Sequence, residues 1–172
     1  MAASVQEESK NERTPKKALI ALGSNIGDSP ATLRAAAERI AGIPGLSVSA
    51  LSSIYRSEPA YLEDQEKFAN AVLIAQVEPW LTPLALLHEL QAIEQEFGRV
   101  RTQPNGPRTL DLDIIDITGI LSTTDELTLP HPLALERDFV VTPLLEIAPG
   151  HILADGVPVT REKVTVGRIG AA

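Results

Sequence analysis

Apolar residues come in short runs, and polar turns divide them into strand-like and helix-like stretches. Ala18 to Leu22 is a continuous apolar run closed by Gly23-Ser24-Asn25, which predicts a buried strand entering a loop. Ser29 and Pro30 then read as an N-cap and first-turn pair, followed by Leu33, Ala36, Ala37 and Ile40 at helical spacing up to Gly42 and Pro44. From Leu46 to Arg56, Leu46, Val48 and Ala50 alternate with Ser47 and Ser49 before the register blurs, and Phe68 to Val77 forms a second β-rich run beyond a polar loop. Thr82-Pro83 opens another helix, with Leu84, Leu87, Leu90, Ile93 and Phe97 as its apolar face and Gly98 as its end. Leu110 to Ile117 is again strand-like.

This order of strand, helix, strand, strand, helix, strand predicts an α+β fold. Its expected form is a ferredoxin-like βαββαβ sandwich, with the helices on one face of an antiparallel sheet. The remaining chain, from Leu127 to about Arg168, carries a shorter apolar segment at Phe139 to Ile147 and reads as a C-terminal elaboration packed on that core. Residues 1–17 mix Glu7, Glu8, Lys10, Glu12, Arg13, Lys16 and Lys17 without hydrophobic period and read as a mobile N-terminal tail. Residues 18–172 then make a single domain.

Composition narrows the classes of function. Hydrophobic residues at 44% and charged residues at 22% fit a globular protein and exclude a collagen, a coiled coil or a disordered scaffold. Fifteen Lys and Arg against twenty-three Asp and Glu leave a net charge of −8, so nucleic acid and anionic membrane are not expected partners, and any polyanion must meet a local basic cluster. With no cysteine there is no disulfide framework, thiolate metal site or cysteine nucleophile. No apolar run reaches the roughly 18–20 residues that span a bilayer, so a soluble, cytoplasmic protein is expected. Monomer is the default, for want of a long exposed apolar stripe.

The stretch from Gly98 to Asp113 carries the chemistry. Asp111 and Asp113 stand two apart on a strand and share a face, where neighbouring carboxylates are costly unless a cation lies between them. Two hard oxygen ligands suit Mg²⁺, which is usually completed by water and by a substrate's phosphates. The plainer reading, two aspartates solvating an exposed sheet face, is weakened by Arg99, Arg101 and Arg108 close by, whose guanidinium forks match phosphate oxygens. Arg99 alone is equally explained by the negative C-terminal end of the preceding helix. Gly106 and Pro107 make residues 102–107 a plausible lid. Gly23 to Asp28 suits a phosphate-approaching loop and a plain structural turn alike. His131, held between Pro130 and Pro132, reads as a donor presented toward a phosphate, whereas His88 and His151 read as structural. Asp116, three residues beyond Asp113, is expected on the opposite face and is left out of the metal set.

Taken together, Ala21-Leu22-Gly23-Ser24-Asn25, Tyr55-Arg56-Ser57-Glu58-Pro59, Phe68-Ala69-Asn70-Ala71, Glu94 with Gly98-Arg99-Val100-Arg101, Gly106-Pro107-Arg108-Thr109-Leu110-Asp111-Leu112-Asp113, and Leu129-Pro130-His131-Pro132 with Arg137 and Phe139 resemble the 6-hydroxymethyl-7,8-dihydropterin pyrophosphokinases of folate biosynthesis. The resemblance implies transfer of the β,γ-pyrophosphoryl group of ATP to the pterin hydroxymethyl oxygen, with two Mg²⁺ ions. It implies that Asp111 and Asp113 bind both ions and that Arg99 and Arg108 serve catalysis. Gln91, Glu94, Arg101, Arg108, Ile114, Thr128, His131 and Arg137 would serve the nucleotide. The pterin would stack between Phe68 and Phe139, with Asn70, Ser57, Glu58 and Ala60 around its amide edge. Two aromatic faces and an amide suit a flat heterocycle, although Phe68 and Phe139 also read as ordinary core residues.

Departures from the family pattern are visible too. The segment 102–105 is short, and Asn105 stands where many members have a tryptophan over the pterin, with Tyr61 as a possible substitute. Glu126 replaces a basic residue of some members, and Phe68 replaces a tyrosine. Nucleotidyl cyclases and polymerase palms also pair aspartates on ferredoxin-like sheets but lack the Gly-Pro-Arg-x-Leu-Asp-Leu-Asp run. An RNA-binding module of this topology would show more aromatics on its central strands and less acidity.

Overall fold

The computed structural model describes residues 13–61, 65–98 and 109–169. Its elements in chain order are β1 (Lys16–Ser24), α1 (Ser29–Ala41), β2 (Leu46–Leu51), β3 (Tyr55–Ser57), β4 (Phe68–Val77), α2 (Pro83–Glu96), β5 (Asp111–Ile117), the short strands β6 (Ser122–Thr123) and β7 (Thr128–Leu129), a 3₁₀ turn at Ala134–Glu136, and α3 (Asp138–Ile147). The main sheet has the order β2-β4-β1-β5, with β3 also on β4, and every pairing is antiparallel.

Alternation along the strands separates two cores. Ala18, Ile20 and Leu22 of β1, Leu73 and Ala75 of β4, and Leu112 and Ile114 of β5 meet α1 through Leu33 and Ile40, and α2 through Leu86 and Leu90. Leu19, Val72, Ile74 and Ile115 face the other way, onto Val140, Val141 and Leu144 of α3. The two expected helices therefore share one face, and the C-terminal elaboration covers the other.

Several local expectations are corrected. β1 begins at Lys16, so the last two residues of the segment read as a tail belong to the sheet. The N-cap of α1 is Asp28 and not Ser29: its carboxylate accepts from the Ala31 N–H at 3.2 Å, while Ser29 is buried against Ser24. The buried stripe of α2 runs through Leu86, Leu90, Ile93 and Glu94, and Leu84 is exposed. The stretch from Leu46 to Arg56 is two strands, because Ser52 breaks the ladder. Its hydroxyl, in place of a backbone carbonyl, accepts from the Val72 N–H at 2.9 Å. Phe139 to Ile147 is helical, although Pro143 within it masks the signal.

Asp116 is the most instructive case. β5 pairs Ile114 with Ile20 and Asp116 with Leu19, so one extra residue bulges between them. The bulge returns Asp116 to the same face as Asp113, contrary to simple parity. There it is buried, bonded to His151 Nε2 at 2.8 Å and to the Ala154 N–H at 3.0 Å. This pair pins the C-terminal segment to the sheet and bears out the structural reading of His151.

Candidate active site

A cavity opens on the α3 side of the sheet, where β1, β4 and β5 reach the ends nearest β3. Its floor is Ala21, Leu22 and Gly23 of β1, and one flank is Asp111 and Asp113 of β5, paired across the ladder with Gly23 and Ala21. Phe68 and Asn70 of β4 form another flank, with Ser57, Glu58, Ala60, Tyr61 and Gln65 beside them and Arg137 and Phe139 opposite. Three of the chain's six aromatic residues meet here.

Each wall is held from behind. Asn70 is buried and donates to the Ser57 hydroxyl at 2.6 Å, which fixes the amide plane and the end of β3 together. At Gly23 a Cβ would sit 3.3 Å from the Asn70 carbonyl oxygen, so a side chain there would crowd the amide. Asn25 donates to Gln65 and to the Glu66 carbonyl, both at 3.0 Å, and fastens the polar loop to the end of β1. Between the two aspartates, the Leu112 N–H donates to the buried Glu94 carboxylate at 2.9 Å. Thus α2 grips the aspartate strand at its midpoint.

The family model for 7,8-dihydro-6-hydroxymethylpterin-pyrophosphokinase matches residues 19–149. The chain belongs to this family. It is 42% identical over 137 residues to the 2-amino-4-hydroxy-6-hydroxymethyldihydropteridine pyrophosphokinase of Methylorubrum extorquens, covering 80% of this chain and 85% of that one. The Haemophilus influenzae protein of the same name is 42% identical over 143 residues, covering 83% and 88%. Against the folic acid synthesis protein fol1 of Schizosaccharomyces pombe it is 40% identical but spans only 19% of that longer chain. Among solved structures, an HPPK-DHPS in complex with substrates matches with a TM-score of 0.56 at 15% identity, covering 78% of this chain and 40% of that one. The Plasmodium falciparum HPPK-DHPS with pterin and p-hydroxybenzoate matches at 0.60 and 12%, covering 90% and 42%. At those identities the structures attest the fold.

In this pyrophosphokinase, Ser57, Glu58, Ala60, Phe68, Asn70, Phe139, Asp111, Asp113 and Arg137 are all brought to the one cavity. Gln91 and Thr128 are exposed and outside its lining, and the Ile114 side chain lies in the helix-side core. Arg99, Arg101 and Arg108 lie outside the described residues, as does Asn105 with the segment read as a lid. His131 is outside the lining and sits in another depression, with Leu135 and Lys163. Burial foremost, then the positive charge of Arg137, lowers its pKa to about 4, against the opposing pull of Asp111. It is therefore neutral at pH 7. Its Nδ1 accepts from the Leu133 N–H at 3.2 Å, which leaves the proton on Nε2.

Tyr61 lines the mouth of the cavity, where its hydroxyl donates to Glu136 and accepts from Arg137 Nε, each at 3.0 Å. The Arg137 guanidinium lies over both aromatic rings, 5.3 Å from the Tyr61 centroid and 5.6 Å from that of Phe139. Sequence reasoning placed Arg137 with phosphates and Phe139 with the pterin and did not see that they stack. Only the proximity of Arg137 and Phe139 in sequence hinted at it. Glu126 pairs with His88 on the exposed face of α2.

Proposed function

We propose that this cavity receives 6-hydroxymethyl-7,8-dihydropterin and that the chain transfers the β,γ-pyrophosphoryl group of ATP to its hydroxymethyl oxygen. The single observation behind the reading is convergence. Two aromatic rings and a clamped amide share one cavity with a pair of carboxylates from the next strand but one. A flat heterocycle between Phe68 and Phe139 would present its edge to Asn70 and its substituent to Asp111 and Asp113. Family membership supports the same assignment.

The acceptor oxygen attacks the β-phosphorus, the bond from that phosphorus to the oxygen bridging to the α-phosphorus breaks, and AMP leaves. The hydroxyl proton passes to solvent. Asp111 and Asp113 suit Mg²⁺: they supply hard oxygens on one cavity wall, and no group of three or more His, Cys, Asp or Glu that could hold an ion exists among the described residues. An ion held by two carboxylates must complete its shell with water and phosphate oxygens, which makes the site substrate-assisted. Two such ions would polarise the hydroxyl and neutralise charge on the triphosphate. Glu94 keeps the two carboxylates in register through Leu112. Neutral His131 offers an uncharged Nε2–H donor to a phosphate oxygen. Arg137 offers a cation that can turn from the rings to the triphosphate. Arg99, Arg101 and Arg108 would complete the phosphate clamp.

The strand order and antiparallel pairing support the ferredoxin-like topology, with residues 18–172 as one domain. No helix among the described residues is long and apolar enough to cross a membrane. The test is ³¹P NMR of the protein with Mg-ATP and the hydroxymethylpterin. Stoichiometric AMP with a new pterin diphosphate supports the reading. Released pyrophosphate in place of AMP would mark nucleotidyl transfer, and no turnover would refute the assignment.

A further inference from the structure

The cavity has two walls that come from distant parts of the chain. Ser57 and Glu58 extend from β3, while Arg137 and Phe139 open α3. β3 reaches the far end of α3 through the Tyr55 hydroxyl, which donates to Glu146, but not its opening turn. The two walls are joined by the Tyr61 bonds to Glu136 and Arg137 and by residues 165–169, beyond the last residue matched by the family model, 149.

The connections are dense for five residues. The Glu58 N–H donates to the Arg168 carbonyl at 3.0 Å, and Ser57 bridges Ile169 in antiparallel fashion. On the other side the N–H groups of Thr165 and Val166 donate to the Glu136 carbonyl at 2.8 and 3.1 Å, and the Asp138 N–H donates to Val166 at 3.0 Å. The Ile169 N–H donates to Asp138 Oδ2 at 2.8 Å, while Asp138 Oδ1 accepts from the Thr142 hydroxyl. Between these anchors, Gly167 turns the backbone at φ +66° directly against Phe139. A Cβ at that position would lie 2.2 Å from Phe139 Cδ1 and 2.6 Å from Cε1. These contacts are shorter than any real side chain tolerates, so the ring can stand where it does only because residue 167 has none.

We infer that residues 165–169 are a strap that sets the distance between the two walls of the pterin site, and that Gly167 is a positioning residue acting through Phe139. The inference rests on the assignment of the cavity to the pterin. With any side chain at 167, the ring must tilt into the cavity or the strap must lift, and lifting moves Ser57 and Glu58 through their own bonds to Arg168 and Ile169. Both alter the stacking gap, and neither touches Asp111 or Asp113. The strap therefore acts first on the acceptor, and on the nucleotide only through Arg137, which is bridged to Val166 and lies on the Phe139 ring.

The experiment compares the parent with Gly167→Ala, Phe139→Ala and the double variant. Pterin binding is read by its fluorescence in the presence of a non-hydrolysable ATP analogue, binding of that analogue is measured separately, and turnover and thermal midpoint are recorded. Gly167→Ala is expected to raise the pterin Kd and KM at least about tenfold, since sub-ångström to ångström misplacement is costly at a reacting centre. The analogue Kd should rise by a smaller factor than the pterin Kd, since only Arg137 links the strap to the nucleotide. In the Phe139→Ala background the same change should add nothing, whereas a penalty from left-handed backbone strain alone would persist. If Gly167→Ala does not fold, Asp138→Ala serves: it removes the carboxylate that accepts from the Ile169 N–H and the Thr142 hydroxyl, and it too should raise the pterin Kd more than the analogue Kd. Unchanged pterin binding in a folded variant, equal losses for both ligands, or an undiminished Gly167→Ala effect without the ring would each overturn the strap. A parent that neither binds pterin nor forms AMP overturns the cavity's assignment and the strap's role with it. A parent that does both while the variants match it overturns the strap alone.

Discussion

The two faces of one sheet are built from alternate residues of the same strands, and they have different purposes. On the helix side, Ala18, Ile20, Leu22, Leu73, Leu112 and Ile114 meet Leu33, Ile40, Leu86 and Leu90 in a core without ionised groups other than the edge-gripping Glu94. On the other side the apolar patch around Val72, Ile115 and Leu144 gives way to Asn70, Ser57, Asp111, Asp113, Asp116 and His151. One face holds the strands, and the other uses their held positions to aim polar groups. Burial without polar atoms is forgiving of detail, whereas every polar group on the second face needs a named partner.

Substitutions on the two faces should therefore separate stability from activity. The largest expected effect is on turnover. Asp113→Ala should lower AMP formation by about 10²–10³-fold or more, as for loss of other groups that stabilise transition-state charge, with unfolding free energy unchanged within about 0.5 kcal/mol. Loss of both together would break the comparison. Leu73→Ala, on the next strand but one and facing the helices, should do the reverse. Removing a fully buried leucine costs about 2–5 kcal/mol, visible as a lower denaturant midpoint, while the surviving folded fraction keeps its pterin KM.

Asp116→Ala tests whether the second face also contains purely structural polar groups. It strands His151 and the Ala154 N–H, for about 1–3 kcal/mol in chemical denaturation, and should leave the KM for ATP alone. A last effect is the protonation of His131 in the metal-free protein. Its folded pKa lies near 4, below the ordinary 6.5, so the unfolded chain binds the extra proton first. The stability it contributes is fully present above about pH 6.5 and is lost as the pH falls through 4. A His131 ring resonance titrating near 6.5 in the folded protein would contradict the burial that causes the shift.

Legibility followed locality. β4 was readable end to end, because ten residues of apolar and β-forming character lie between polar turns. The six residues expected around the pterin and the two aspartates reached one cavity, since each sat in a run specific enough to carry its neighbours. The start of α1 was misread by one residue because Asp28 and Ser29 both suit an N-cap, and burial of Ser29 decided between them. On α2 the apolar residues outnumber the buried ones, and only packing shows that Leu84 is left outside. Neither the strap nor the stacking of Tyr61 on Arg137 carries a sequence signal, because both depend on segments distant in the chain, 31 residues apart for Ile169 and Asp138 and 76 for Arg137 and Tyr61.

By itself, the sequence determined which residues alternate, where turns interrupt them, and that two carboxylates two apart on a strand share a side. These are consequences of backbone geometry and local chemistry. The tertiary structure alone decided that a bulge returns Asp116 to the face of Asp113, that Arg137 lies over Tyr61 and Phe139, and that Gly167 must lack a side chain. Those outcomes turn on a single inserted residue or on contacts of a few ångströms between distant segments. Close packing discriminates at that scale, and a pattern of hydrophobic and polar positions does not.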